Sequence, residues 1–273
     1  MTEPLLGKQV DYPGQYSPQL LVPIPREPGR EKLGIAGKEL PFHGADIWNA
    51  YELSWLDPRG KPEVAIGQLS VPVDSVNLFE SKSLKLYFNS LNQERYTSRA
   101  DVQALITRDL SAIAGSPVQV VLSHPGEDSH RLDPLPGISL DTQSVTCSLF
   151  QPAPELLQFA EDAKMVRETL HTDLFRSNCP VTSQPDWASM CITYSGRQLS
   201  RPALLQYLVS YRQHNDYHEH CVEAIFMDIS RRCQPEALTV QAHFLRRGGI
   251  DINPIRSSGQ GMAARTFSRA VRQ

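Results

Sequence analysis

Apolar and polar positions alternate with a period of two in two neighbouring stretches near the start of the chain. Residues 45–56 form the first stretch, and a turn-forming Asp-Pro-Arg-Gly follows at 57–60. The alternation resumes in residues 64–73 and shifts its phase near Gly67. Because successive side chains of a strand point to opposite faces, this pattern predicts a long β-hairpin with a bulge near Gly67.

Helical spacing follows the predicted hairpin twice. Apolar positions recur every three or four residues from Leu84 to Leu91, behind Asn77 and Glu80, which stand three residues apart. This arrangement predicts a helix whose start is capped. A second helix is predicted to begin after Ser98 and to end at Gly115, and a further strand should follow it.

The second half of the chain repeats this plan. Alternating stretches at 170–174 and 188–194 predict another hairpin, and helices are expected after Ser200 and after Asp216. Residues 238–244 make the last clean strand pattern. Antiparallel alternation combined with helices predicts an α+β fold, in which antiparallel sheets carry helices on one face. The repetition also indicates an internal structural duplication.

Proline and turn-forming residues suggest how the chain is divided. Residues 1–40 are rich in proline and are predicted to be an extended arm rather than packed structure. A domain boundary is expected between about 150 and 165, where polar and proline-rich segments end. The predicted domains are therefore 41–155 and 156–273.

Composition limits the class of protein. The chain has 273 residues, 40% hydrophobic and 21% charged, with a formal net charge of −3, which is ordinary for a globular protein. This charge argues against a dedicated nucleic-acid or membrane binder. No apolar run is long enough for a membrane helix, and no signal peptide is visible. Five scattered cysteines favour reduced thiols and a cytoplasmic location.

The end of the chain carries positive charge only. No acidic residue follows Asp251, and this predicts a solvated basic tail. Its arginines are Arg256, Arg265, Arg269 and Arg272.

Four residues of the second half could carry covalent chemistry. Cys179 directly follows a predicted strand, Asp186 is near it in the sequence, and His218 and Glu219 open a later helix. A cysteine, a histidine and a carboxylate can together form and protonate a covalent adduct. The residues also have purely structural interpretations. Cys179 would be a small buried residue, and Glu219 would form a capping box with Asp216.

Two further motifs leave alternatives open. The histidine-rich stretch around His218 could bind a metal, but no second pair of ligands has a spacing typical of zinc. The segment Arg246-Arg247-Gly248-Gly249 could hold a phosphate or could simply be a turn. The chain contains no G-x-G-x-x-G motif, so a Rossmann site is not indicated.

Four segments together resemble one enzyme family. They are the Glu-Ser-Lys-Ser-Leu-Lys-Leu-Tyr of residues 80–87, Ser-Asn-Cys-Pro at 177–180 with Pro-Asp-Trp at 185–187, Tyr-His-Glu at 217–219, and Arg-Gly-Gly-Ile-Asp-Ile-Asn-Pro at 247–254. This set resembles the NADPH-dependent 7-cyano-7-deazaguanine reductases, the QueF nitrile reductases. It is similar to their long form, which has two tunnelling-fold halves in one chain, over roughly residues 40–258.

The resemblance implies a site at the junction of the two halves. Glu219, with His218 beside it, would anchor the substrate. The resemblance also implies substrate contacts by Phe79, Glu80 and Ser81, and NADPH contacts by Ser81, Lys82, Arg247 and Gly248.

The resemblance further implies the reaction. Cys179 would attack the nitrile and form a covalent thioimide, and Asp186 would act as general acid and base. Two molecules of NADPH per turnover would give 7-aminomethyl-7-deazaguanine for queuosine biosynthesis and tRNA modification. No metal would be required, no nucleic acid would bind, and the chain would form a homodimer.

Three other functions remain open at this point. A zinc-dependent GTP cyclohydrolase-like enzyme would need ligands near Cys179, for which Cys191 and His214 are the candidates. A cysteine hydrolase would release ammonia without NADPH. A binding module would hold a purine or pterin without any chemistry, and its function would survive loss of Cys179.

Overall fold

The structure is a computed structural model, and it describes residues 13–35, 39–127, 132–259 and 269–273. The chain divides into two compact units. The first takes its described residues from Met1–Lys32, Ala45–His130 and Arg246–Ile252, and the second from Leu33–Gly44, Arg131–Leu245 and Asn253–Gln273.

The predicted hairpin forms the sheet of the first unit. Strands β2 (His43–Leu56), β3 (Pro62–Pro72) and β5 (Gln119–Ser123) pair antiparallel in the order β5-β3-β2. The register between β2 and β3 shifts between Ala50 and Leu53, opposite Gly67. The predicted bulge is therefore confirmed in position, but the extra residue belongs to β2, the strand that faces Gly67.

Two helices follow β3, as the apolar spacing predicts. They are α2 (Ser81–Asn89) and α3 (Arg99–Ala114), and α3 packs against β5. The Ser98 side chain accepts a hydrogen bond from the Asp101 N–H, and Gly115 ends α3 with φ 65°, so both predicted ends of this helix are confirmed.

The predicted cap of α2 is wrong in one respect. Glu80 is itself the N-cap residue, and its carboxylate accepts hydrogen bonds from the backbone N–H groups of Lys82 and Ser83. Asn77 instead lies in strand β4 (Asn77–Phe79), and its side-chain amide donates to the Ile113 carbonyl. Spacing alone could not separate the two, because either side chain can accept from a helix N-terminus.

The prediction of an extended, unpacked arm is wrong for its described part. Strand β1 (Pro23–Pro25) pairs antiparallel with β4, and helix α1 (Glu27–Lys32) follows it. The guanidinium of Arg26 is almost fully buried and lies 2.5 Å from the Asp46 carboxylate. Proline is compatible with packing here because an edge strand can omit one of its donors. Residues 1–12 and 36–38 lie outside the described residues.

The second unit repeats the hairpin and the two helices. Its strands are β6 (Ile138–Ser139), β7 (Met165–Asn178), β8 (Pro185–Arg197), β9 (Ala237–Phe244) and the part of β10 (Ile250–Ser257) from Asn253 onward, in the order β10-β9-β8-β7-β6. All neighbours are antiparallel except β6 and β7, which are parallel. Helix α4 (Arg201–Ser210) contacts β7, and α5 (His218–Cys233) packs on β9.

The repetition extends to the irregularity of the hairpin. The register between β7 and β8 shifts between Thr172 and Phe175, just as the register of the first hairpin shifts within β2. Each hairpin is followed by two helices and a strand that returns to the sheet. The predicted α+β class is thereby confirmed.

Strand β10 and the end of the chain differ from the predicted solvated tail. Arg256 is fully buried in β10, and its guanidinium lies 2.9 Å from the Glu223 carboxylate of α5. Arg269 donates to the Gln273 carbonyl and Arg272 donates to the Asp173 carbonyl. The charge pattern misled for Arg256, because its acceptor on α5 is 33 residues away in sequence, whereas Arg272 is exposed as predicted. Arg265 lies outside the described residues.

Replacement of Glu223 by Gln should strongly destabilise the second unit. The change leaves the buried charge of Arg256 without its compensating carboxylate, which costs roughly 3–5 kcal/mol of unfolding free energy. Urea unfolding followed by circular dichroism measures this quantity. The control is Glu63→Gln, which removes the exposed Lys61–Glu63 ion pair and should cost less than about 1 kcal/mol. Equal effects of the two changes would contradict the role given to the buried pair.

Candidate functional site

Cys179 lies in a tightly closed loop at the end of the β7–β8 hairpin. Its backbone N–H donates to the Gln184 carbonyl at 2.9 Å, and the Ser183 N–H donates to the Cys179 carbonyl at 3.0 Å. The cysteine is only 3% exposed. The sequence-based prediction of a cysteine directly after a strand is confirmed, and the two hydrogen bonds fix the backbone that carries the thiol.

Asp186 contacts His218. Asp186 is the second residue of β8 and pairs with Ser177 of β7, while His218 is the first residue of α5. The Asp186 Oδ2 atom lies 3.3 Å from the His218 Nε2 atom, and both side chains are largely buried. A carboxylate beside an imidazole can accept a proton and return it, which is the property required of a general acid and base.

Phe244 fixes the plane of the His218 ring. The two rings stack with centroids 3.8 Å apart and an interplanar angle of 14°. Phe244 ends β9, where it pairs with Ala188 of β8. Sequence reasoning missed this residue because one aromatic side chain in an alternating strand looks like any other core residue.

Glu219 lies in the first turn of α5 and is 2% exposed. The positive end of the helix dipole stabilises a carboxylate in this position. The alternative interpretation, a capping box with Asp216, is wrong, because Tyr217 is the N-cap residue and makes no side-chain cap. The Asp216 carboxylate instead lies 3.0 Å from His220 Nδ1 and 3.7 Å from His214 Nε2.

The electrostatics of Asp216 are those of a structural group. Burial disfavours its charged form, but hydrogen bonds from His214 and His220 hold the pKa of Asp216 well below its usual value. This carboxylate therefore stays ionised near neutral pH and exchanges no proton there.

Other buried cysteines are poor nucleophiles. Burial raises the pKa of Cys191 to about 11 and also raises the pKa of Cys233. Burial raises the pKa of Cys221 too, and the nearby charges of Asp216 and Asp186 add to this shift. These three thiols remain protonated near neutral pH, and only the thiolate is a strong nucleophile.

The first unit contains the residues expected to bind substrate and cofactor at the start of α2. Phe79 and Glu80 are buried, and Ser81 and Lys82 open the helix. The two carboxylate oxygens of Glu80 accept from the Lys82 and Ser83 N–H groups at 3.0 and 2.7 Å. Glu80 thus has a structural role that the sequence interpretation did not include.

The basic turn at 247–250 closes tightly. The Arg247 N–H donates to the Ile250 carbonyl at 2.9 Å, and the glycines between them have φ of 64° and 78°. A positive φ at both central positions explains the Gly-Gly pair. A Cβ atom on Gly248 would lie 3.4 Å from the Lys85 side chain, and one on Gly249 would clash with Glu52.

Lys85 connects this turn with α2. It pairs with Glu52 at 3.2 Å and stands three residues after Lys82, on the same side of the helix. The structure therefore places Gly248, next to Arg247 in the chain, beside Lys85, which sequence reasoning did not select, and Lys82 lies three residues earlier in the same helix. Cationic side chains and a close-approaching glycine backbone suit the phosphate groups of a dinucleotide.

Two comparisons with protein families cover most of the chain. Residues 12–122 match a family described as nitrile reductase, 7-cyano-7-deazaguanine-reductase N-term. Residues 185–262 match a family described as QueF-like protein.

Individual relatives match over nearly the whole length. The NADPH-dependent 7-cyano-7-deazaguanine reductase of Dechloromonas aromatica is 51% identical, over 98% of this chain and 94% of that protein. The enzyme of the same description from Bordetella pertussis is 53% identical, over 93% of this chain and 92% of its own. The crystal structure of the apo archaeosine synthase QueF-Like covers 35% of this chain at 19% identity and a TM-score of 0.31, too distant for any inference.

These matches define an oxidoreductase of the nitrile reductase class. Within that class, this chain belongs to the family of NADPH-dependent 7-cyano-7-deazaguanine reductases.

Two further features of the described residues concern membrane spans and metal sites. None of the helices there is long and apolar enough to cross a membrane. Within the same residues, His, Cys, Asp and Glu side chains do not gather in groups of three or more that could hold a metal ion. The Cys191 and His214 proposed as zinc ligands for the alternative enzyme belong to no such group.

Replacing Glu80 by Gln tests its two roles. The amide group cannot accept from both backbone N–H groups, so the unfolding free energy should fall by about 1–2 kcal/mol. Urea unfolding measures this loss, and the KM for substrate measures any further contact. The control is Ser98→Ala, which removes the cap of α3 and should cost about 1 kcal/mol without changing KM. An unchanged stability in Glu80→Gln would argue against the cap.

Proposed function

We propose that this chain reduces the nitrile of 7-cyano-7-deazaguanine to an aminomethyl group with NADPH, through a thioimide on Cys179, in queuosine biosynthesis. One observation carries the proposal. Cys179 is held at the end of a hairpin whose other strand presents Asp186, and Asp186 contacts His218. A nucleophile and an acid–base pair held by rigid elements are what covalent catalysis on an electrophilic carbon requires.

The first step adds the thiol across the nitrile. A free cysteine has a pKa of about 8.5, so a base must remove its proton near neutral pH. Asp186 takes this proton while the Cys179 sulfur bonds to the nitrile carbon, and it returns the proton to the nitrile nitrogen. The C≡N bond becomes a C=N bond, and no external acid is consumed.

The later steps deliver two hydrides and two protons. Bound NADPH supplies each hydride, and two equivalents are needed to take a nitrile to an amine. After the first reduction the carbon–sulfur bond breaks, and the Cys179 sulfur leaves as a thiolate. Asp186 and His218 supply one proton to the nitrogen as the imine becomes an amine, and a second proton to the Cys179 thiolate. The thiol is regenerated, so one cysteine suffices for the whole sequence.

Glu219 is proposed to recognise the base. A buried carboxylate offers acceptors only, so it pairs with the N–H groups on the pyrimidine-type edge of a deazaguanine and rejects rings without those donors. Its first-turn position in α5 places it at the positive end of the helix dipole, which favours the carboxylate form. Contacts of Phe79, Glu80 and Ser81 with the substrate are proposed from the family resemblance.

Cofactor binding is assigned to the basic region of the first unit. Ser81, Lys82, Arg247 and Gly248 are proposed to contact NADPH, and Lys85 supports the same surface. The positive charge there suits the additional phosphate that distinguishes NADPH from NADH.

The remaining proposals concern the state of the protein. We propose that it acts as a cytoplasmic homodimer without nucleic acid, and that its chain divides near residue 155 into two tunnelling-fold halves. The repeated hairpin–helix–helix–strand plan supports the division, and the free cysteines among the described residues support a reducing compartment. Light scattering that gave the mass of one chain would contradict the dimer.

Replacement of Cys179 by Ala should abolish the reaction. Turnover should fall by roughly three orders of magnitude or more, because the covalent route is lost. The absorbance of NADPH reports turnover, and intact-mass spectrometry of enzyme mixed with 7-cyano-7-deazaguanine alone reports the adduct. The wild-type chain should gain the mass of one substrate, and Cys179→Ala should gain none.

The matched control is Cys233→Ala at the end of α5, which should keep both the adduct and turnover. Full turnover by Cys179→Ala would contradict the thioimide mechanism. Ammonia release without NADPH oxidation would indicate a hydrolase instead.

Replacement of Lys82 by Ala should weaken NADPH binding without disturbing the chemistry. Loss of one charge-assisted contact to a phosphate should raise the KM for NADPH about tenfold or more, while kcat at saturating NADPH changes little. Steady-state kinetics separates the two parameters. The control is Lys61→Ala, an exposed lysine paired with Glu63, which should leave both unchanged. An unaltered KM in Lys82→Ala would remove this residue from the cofactor site.

A further inference from the structure

Three arginines converge on one tryptophan of the second unit. The guanidinium carbons of Arg176, Arg212 and Arg272 lie 5.5, 5.3 and 5.8 Å from the centroid of the Trp187 ring. They come from three separate segments, namely β7, the turn before α5 and the end of the chain. We propose that these residues form a binding site for the phosphoryl group of a phosphorylated ligand.

The charge of the three arginines supports an anion site. Among the described residues, none of the three guanidinium groups forms an ion pair with a carboxylate. Three like charges that each lie within 5.8 Å of one ring centroid repel one another, and salt screens only part of the repulsion. A bound dianion would turn this unfavourable arrangement into a favourable one. Among the described residues, the Arg212 side chain forms no hydrogen bond or ion pair, and its guanidinium lies over the Trp187 ring.

The orientation of the guanidinium groups also supports an anion site. The Arg176 Nη2 atom donates to the Asn178 side chain at 3.0 Å, and Arg272 donates to the Asp173 carbonyl. Each guanidinium is therefore fixed through one of its nitrogen atoms. The buried Nε atom of Arg176 has no hydrogen-bond partner in the described structure. Contact with an aromatic face orients a guanidinium and leaves its in-plane N–H groups available for phosphate oxygens.

The site is separate from the proposed catalytic residues. Arg176 pairs with Trp187 across the hairpin, so these two side chains point to the same face of the sheet. Their neighbours Ser177 and Asp186 form the next pair and point to the opposite face. The phosphoryl site therefore does not depend on the proposed nitrile chemistry, and each can fail without the other.

Tryptophan fluorescence offers a direct measurement on the intact chain. Trp48 and Trp55 are buried in the core of the first unit, and Trp187 is half-buried among the arginines. Inorganic phosphate, pyrophosphate or adenosine 2′,5′-bisphosphate, titrated at constant ionic strength against chloride, should change the emission of Trp187 in a saturable way. Trp187→Phe should lose this signal.

Variants identify the residues involved. Arg212→Gln and Arg176→Gln should each weaken binding roughly tenfold, which corresponds to the loss of one charge-assisted hydrogen bond. The matched control is Arg197→Gln, an exposed arginine of the same unit that lies alone over the Phe159 ring, at 4.4 Å. It should bind as the wild type does. The absence of saturable binding for all three probes, or equal loss in the control, would overturn the proposal.

Kinetics distinguishes the two sources of the phosphoryl group. If the group belongs to NADPH, phosphate should compete with NADPH and Arg212→Gln should raise the KM for NADPH. If it belongs to a separate phosphorylated ligand, phosphate should bind without competing and the KM should stay unchanged. Either pattern, together with the fluorescence change, supports the site.

Discussion

The register of the β7–β8 hairpin is the constraint on which the proposed chemistry depends. Asn178 pairs with Pro185 and Ser177 pairs with Asp186, and the Cys179–Gln184 hydrogen bond closes the loop between the strands. A slip of one residue would turn Asp186 to the other face of the sheet and away from His218. Cys179 and Asp186 are thus positioned by backbone pairing, which is stiffer than any contact between flexible side chains.

The start of α5 shows how similar groups receive different tasks. Two carboxylates lie near it, and each contacts histidine. Asp216 receives hydrogen bonds from His214 and His220, and these hold its pKa low, so it serves as a fixed charge. Asp186 contacts His218 at 3.3 Å, and the Phe244 ring stacks on that imidazole. The first arrangement stabilises the helix start, while the second joins the hairpin strand β8 to the first residue of α5.

Local patterns predicted a large part of this fold. The two long hairpins, the helix bounded by Ser98 and Gly115 and the class of the fold follow from alternation, spacing and capping, which act over a few residues. Strand β10 did not follow, because its Asp251 and Arg256 are polar and yet buried. Asp251 accepts from Asn49 and Tyr51, about two hundred residues away in sequence, and such partners leave no local trace.

The candidate site likewise contains residues that local patterns predicted and residues that they did not. Motifs at Cys179, Asp186 and the start of α5 were visible because a strand end and a helix start expose their side chains in a known way. Phe244 was not visible, since its role depends on a stacking contact across the sheet. Lys85 was overlooked for a related reason, because its value lies in its position beside Gly248. The protonation of the other thiols is also a tertiary effect, since burial raises the pKa of Cys191 and Cys221 and so keeps these cysteines protonated. Local sequence patterns carry no record of that burial.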